Sequence, residues 1–173
     1  MLVYLDTMVV QYTIDNYDFV FGRISGYSGE CLVTEPKLRS ELYALRDFMF
    51  MEQMGSLDYA FTPHLWDELN AGQVTEEQQK SYAILKRSWE ESGWTDTFPL
   101  NEDEILRVED SLKLLHLDAA DRRHLVEAIV LKASWFLTND ERLLRRVKGQ
   151  KLPLHVARPS ECLSEIFVGL FLR

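Results

Sequence analysis

In the run Ser134-Trp135-Phe136-Leu137-Thr138-Asn139-Asp140 the residues after the serine are apolar until a threonine, an amide and an acid close it. A strand with one wet face alternates polar with apolar residues, whereas a strand buried on both faces does not. The run therefore predicts a central strand over Ser134–Thr138, with Asp140 just past its carboxyl end. Leu2-Val3-Tyr4-Leu5-Asp6 has the same character: a short unbroken apolar strand, then an acid. Two further short apolar runs, Leu57–Phe61 and Leu152–Ala157, read as companion strands.

Helical patterns fill the intervals. Lys37–Met54 carries Leu38, Leu42, Leu45, Phe48 and Met49 at helical spacing. Thr62 is placed to cap a helix over Pro63–Asn70, with Pro63 at its first position. Glu76–Ser92 reads as a long polar helix. Asn101–Leu115 opens on an asparagine and an acid-rich first turn, which suits the helix dipole. Asp118–Ala133 is the best amphipathic pattern in the chain. Glu141–Val147 is a short helix stopped by Gly149, and Ser160 is placed to cap a final one after Pro159. Strands alternating with helices imply a mainly parallel sheet covered on both faces, an α/β chain. Ile14–Glu35 mixes Asp, Gly, Ser and aromatics and reads as an ordered loop or a small extension.

Composition bounds the function classes. The chain has 173 residues, 46% hydrophobic, with 8 Gly and 5 Pro. One domain over residues 1–173 is expected, and disordered or collagen-like classes are excluded. No apolar run approaches the roughly 18–20 residues of a membrane span, and the N-terminus lacks the basic start of a signal peptide. A soluble, cytoplasmic protein without membrane partners is expected. Two cysteines, Cys31 and Cys162, stand far apart, which excludes Cys-x-x-Cys redox and zinc-ribbon motifs. The net charge of −9 argues against nucleic-acid binding through overall charge. It leaves open a local site in which a bound metal supplies the positive charge.

In open parallel sheets, chemistry collects where the strands end at their carboxyl side. Asp6 and Asp140 both emerge there. Asp121 lies four, seven and eight residues before Leu125, Ala128 and Ile129, so it falls on the inward stripe of its helix, in the first turn. An unpaired carboxylate so placed is costly, and the helix N-terminus compensates only in part. Asp118 occupies the capping position instead. His124 lies beside the stripe and is read as a helix-surface residue or a support of the site rather than as a metal ligand. Glu68 shares the inward face of its helix with Leu65 and Leu69, whereas Asp67 does not; Glu41 is the rival on the preceding helix. Carboxylates about 4 Å apart repel by about 4 kcal/mol per pair at an effective dielectric of 20. Hard divalent cations with oxygen ligands are the natural counter-charge, and such sites suit phosphodiester hydrolysis.

Three segments carry a family likeness: Leu2-Val3-Tyr4-Leu5-Asp6-Thr7, Asp121-Arg122-Arg123-His124-Leu125-Val126-Glu127-Ala128, and Phe136-Leu137-Thr138-Asn139-Asp140-Glu141-Arg142-Leu143-Leu144. Together with Phe61–Leu69 they resemble the PIN domain, a metal-dependent ribonuclease fold common among toxin–antitoxin toxins and RNA-processing enzymes. The resemblance spans Met1 to Arg158. It implies a three-layer α/β/α sandwich around a parallel sheet. It also implies one or two magnesium or manganese ions held by Asp6, Glu68, Asp121 and Asp140, with Thr138 orienting the loop that carries Asp140. The implied activity is endoribonucleolytic cleavage of single-stranded RNA. The implied partners are an antitoxin protein and a second copy of the chain in a homodimer. Arg122, Arg123 and Arg142 stand near the acids as candidate phosphate contacts or as solvated charges. The competing reading is a PIN-like binding or scaffold protein without turnover. An aspartyl-phosphate mechanism would want an acid two residues after Asp6, where Met8 stands, and no glycine-rich turn follows the first strand to cradle a nucleotide.

Overall fold

The computed structural model describes residues 1–22, 36–53, 57–60, 62–71, 75–91, 100–113 and 116–171. Four strands, β1 (Leu2–Leu5), β2 (Asp58–Ala60), β3 (Trp135–Leu137) and β4 (His155–Ala157), form an all-parallel sheet in the order β2-β1-β3-β4. The central pair is in register Val3↔Trp135, Tyr4↔Phe136 and Leu5↔Leu137. Because side chains alternate across a strand, this register sorts the sheet into two faces. Val3, Leu5, Tyr59, Trp135 and Leu137 enter one core, and Tyr4, Ala60 and Phe136 the other.

Helices cover both faces. The first core is closed by α1 (Thr7–Asp15), α2 (Tyr17–Val20), α3 (Pro36–Gln53), α4 (Pro63–Ala71) and α5 (Glu76–Glu91), with Cys162 from the last helix. The second is closed by α6 (Glu102–Leu112), α7 (Ala119–Val130) and α8 (Glu141–Val147). The last helix, α9 (Pro159–Phe171), packs on α3. The chain is thus α/β with a parallel sheet, in an arrangement compatible with three layers. No helix of the described residues is long and apolar enough to cross a membrane.

Three of the expected strands are shorter than their apolar runs. In the last, Pro153 has no N–H for a ladder and restricts Leu152 before it, so pairing starts at His155. The helix starts fare better. Thr62 accepts from Leu65 N at 3.4 Å, Asn101 from Asp103 N at 3.0 Å, and Asp118 from Asp121 N at 3.0 Å. Ser160 is not a cap: the helix begins at Pro159, which suits a first position because its missing N–H is one of the orphans there. The Ser160 hydroxyl and N–H instead donate to Glu41 at 2.6 and 2.8 Å. The sequence reading assigns no element to α1. Its buried residues Val9, Val10, Thr13 and Ile14 follow helical spacing, but three of the four positions next to the strand carry β-branched or polar residues of middling helix propensity. Most of the Ile14–Glu35 stretch lies outside the described residues; its first part ends α1 and forms α2. Cys162 is a buried free thiol, pushed up to about 12 by burial, and Cys31 lies outside the described residues.

Candidate functional site

Asp6 leaves β1 with its N–H donating to Leu137 O at 2.9 Å, so the sheet fixes where it emerges. Its carbonyl opens α1 by accepting from Val9 and Val10, yet its side chain makes no capping bond. That carboxylate is 8% exposed and accepts from the Thr138 hydroxyl at 2.5 Å. Burial raises its pKa; the Thr138 bond and nearby His124 oppose the rise without cancelling it. The same Thr138 oxygen accepts from the Asp140 N–H at 3.0 Å. One fully buried hydroxyl, at the end of β3, therefore ties Asp6 to the turn that carries Asp140.

Asp140 spends one oxygen on the helix it precedes: Oδ1 accepts from Arg142 N at 2.6 Å and Leu143 N at 3.2 Å, capping α8. Its other oxygen stands 4.0 Å from Arg142 Nη2. Asp121, in the first turn of α7, has a pKa raised to about 6, first by burial and then by the charges of Asp118 and Asp140, with Asp6 adding to them. The Arg142 guanidinium opposes this from 3.3 Å and also pairs with Asp118. Asp6, Asp121 and Asp140 thus share one electrostatic environment at the carboxyl edge of the sheet, with Arg142 as its internal cation.

Glu68 reaches the same edge from α4 and adds to the negative charge felt by Asp6. Its Oε2 accepts from Thr7 Oγ1 at 2.7 Å and meets His124 Nε2 at 2.6 Å. Burial pushes the Glu68 carboxyl up, but the Thr7 bond and His124 outweigh it and hold the pKa below its ordinary value. Glu41 is not part of this edge, since both its oxygens are engaged by Ser160. Asp67 is exposed. The three arginines meet protein acceptors: Arg122 Nη2 donates to Leu117 O at 2.9 Å, Arg123 Nε to Glu127 Oε1 at 2.7 Å, and Arg142 to Asp118.

Behind the acids runs a buried polar chain that the sequence did not disclose. The Tyr4 hydroxyl, at the centre of the sheet, donates to Glu127 Oε2 at 3.0 Å and lies 2.8 Å from His124 Nδ1. Tyr4, His124 and Glu127 are each at most 2% exposed. Burial, then Glu127, push the Tyr4 phenol well above its usual range, so it remains a donor. The missed histidine is His64, one helical turn before Glu68, with Nε2 3.6 Å from Glu68 Oε1. Its i, i+4 spacing to Glu68 was available in the sequence; its meeting with His124, ring centroids 4.9 Å apart, was not. Among the described residues, the group whose potential ligand atoms all lie within 4.8 Å of one another is His64, Glu68 and His124, not the four acids.

No protein-family model matches the chain, and comparison with curated proteins and with solved structures finds no significant match.

Proposed function

We propose that this chain is a metal-dependent endoribonuclease of the PIN-like type, acting on single-stranded RNA. The observation that carries the reading is the Thr138 hydroxyl, which binds Asp6 Oδ2 and the Asp140 N–H together at the end of the central strands. Asp121 completes the edge, and its pKa of about 6 reflects burial first and then neighbouring negative charge that Arg142 only partly offsets. The donor set is all oxygen at Asp6, Asp121 and Asp140, with Glu68 adjoining, and this chemistry fits magnesium or manganese rather than a soft metal. Such an ion, when bound, lowers the pKa of a coordinated water and neutralises developing phosphoryl charge. The chain's own part is positional. The backbone of β1 and β3 fixes Asp6, Thr138 sets the Asp140 turn, and Asp118 caps α7 so that Asp121 faces the edge. Arg142, half-exposed on the rim, is the cation that an entering ion or phosphate has to displace or join.

The second reading, a scaffold of the same fold without turnover, is favoured by one observation: Arg142 already reaches Asp118, Asp121 and Asp140. Incubation of the full chain with single-stranded RNAs, with manganese and with chelator, separates the two. Manganese-dependent cleavage lost in Asp6→Asn supports the nuclease. Wild-type protein inert on every RNA, with metal present, supports the scaffold.

A further inference from the structure

We propose that His64, Glu68 and His124 form a binding site for a zinc-class divalent cation, beside the acidic edge and distinct from it in donor chemistry. The Tyr4 hydroxyl has one proton and three polar neighbours, His124 Nδ1 at 2.8 Å, Glu127 Oε2 at 3.0 Å and Thr62 Oγ1 at 3.2 Å. Where that proton goes to the acceptor-only Glu127 carboxylate, the 2.8 Å contact between Tyr4 and His124 Nδ1 is a bond donated by the imidazole. A neutral imidazole with its proton on Nδ1 presents a lone pair at Nε2. That Nε2 faces Glu68 Oε2 at 2.6 Å and Thr7 Oγ1 at 3.0 Å. The single Thr7 proton goes to Glu68. In that tautomer lone pairs face lone pairs and a cation closes the contact; in the other, Tyr4 donates to Nδ1 and His124 Nε2–H donates to Glu68.

His64 decides between these. Its Nε2 is a buried atom without a hydrogen-bond partner, 3.6 Å from the other oxygen of Glu68. A proton on His124 leaves that nitrogen unsatisfied, whereas one cation between the three side chains serves both histidines and the carboxylate. In a tetrahedral zinc site with bonds of about 2.0–2.1 Å, ligand atoms stand roughly 3.3 Å apart. His124 Nε2 stands 2.6 Å from Glu68 Oε2 and His64 Nε2 3.6 Å from Glu68 Oε1, and one ligand atom from each residue lies within 4.8 Å of the others, so side-chain rotation has to draw them to that spacing. Two imidazoles and one carboxylate with a fourth position open is a zinc-type donor set, and imidazole nitrogen disfavours magnesium. His124 also has the support that metal-bound histidines have, its second nitrogen held through Tyr4 to Glu127 and Arg123. The His64 side chain is 31% exposed beside a cavity lined by Pro63, Asp67 and Leu100, so an ion reaches the buried Nε2 by a small turn of the ring.

The site shares Glu68 with the proposed nuclease edge but rests on its own contacts, and its test reads binding rather than cleavage. The full chain, stripped with chelator, is titrated calorimetrically with zinc chloride, and cobalt(II) visible absorbance reports the ligand field. One equivalent of zinc should bind, undisplaced by magnesium in 1000-fold excess (about 10³ over zinc). His64→Ala and Glu68→Gln should each weaken binding by about 30-fold or more, with circular dichroism showing both folded, while His155→Gln should leave it unchanged. No zinc uptake by the wild type would mean a hydrogen-bonded His124–Glu68 pair only, and would overturn the site. Uptake untouched by both His64→Ala and Glu68→Gln would overturn it equally. Zinc bound without RNA cleavage counts against the nuclease alone, and cleavage without zinc uptake counts against this site alone.

Discussion

Asp121→Asn should stabilise the metal-free chain at neutral pH while removing a residue the proposed activity needs. In the folded chain the Asp121 pKa rises from 3.8 to about 6. A carboxyl with a raised folded pKa favours folding when protonated, so its contribution is greatest below 3.8 and is lost as pH climbs through 6. A rise of about 2 units corresponds to about 3 kcal/mol at about 1.4 kcal/mol per unit. The side chain retains 17% exposure and an exposed arginine partner, so solvent screening cuts this to about 1–2 kcal/mol. Asparagine mimics the protonated acid in shape and removes its charge from beside Asp118, Asp140 and Asp6. At pH 7 the variant should melt roughly 2–8 °C above wild type, at about 2–4 °C per kcal/mol for a chain of this size. The gain should shrink as pH falls through 6 and vanish near 4. Thermal melts of both proteins in chelator, at low salt and from pH 4 to 8, check this. A variant no more stable than wild type at pH 7, or an advantage that persists unchanged at pH 4, would refute the electrostatic reasoning.

Arg142→Gln should tighten manganese binding several-fold (about 3-fold or more), because the guanidinium beside Asp118, Asp121 and Asp140 competes with any incoming cation; calorimetry reads the change, and weaker binding would make Arg142 a helper instead. Thr138→Val keeps the shape but strips the hydroxyl from Asp6 and the Asp140 N–H; urea unfolding should show a loss of about 1–3 kcal/mol from the groups left unpaired. The same variant should push the Asp6 pKa further up, since the Thr138 bond is the chief influence holding it down; carbon-13 carboxyl shifts across a pH titration read the direction.

Much of the framework was legible because buried parallel strands and capped helices write local signals. The apolar runs around Val3 and Phe136 identified the two central strands, and Asn101 and Asp118 marked the starts of α6 and α7 by residue type alone. The acids at positions 6, 121 and 140 were readable because each sits one or two residues beyond a legible strand or inside a legible first turn. α1 was not, since Val9, Val10 and Thr13 suit a strand as well as a helix and only tertiary burial decides. The polar chain from Arg123 through Glu127 and Tyr4 to His124 was hidden for another reason. Tyr4 reads as one more apolar residue of a buried strand, and nothing local says that its hydroxyl crosses to a helix more than a hundred residues away. Likewise the commitment of Asp140 Oδ1 to capping α8 is a matter of side-chain rotamer, which sequence spacing does not fix.

The most direct measurement is a manganese binding isotherm on the full chain, beside Asp6→Asn. Wild type should take up the ion, and the variant, with its buried carboxylate neutralised and its Thr138 contact retained by the amide oxygen, should bind about 30-fold more weakly or worse. Wild-type protein that takes up no manganese, or a variant that binds as well as its parent, would contradict a metal-holding edge built on Asp6, Asp121 and Asp140.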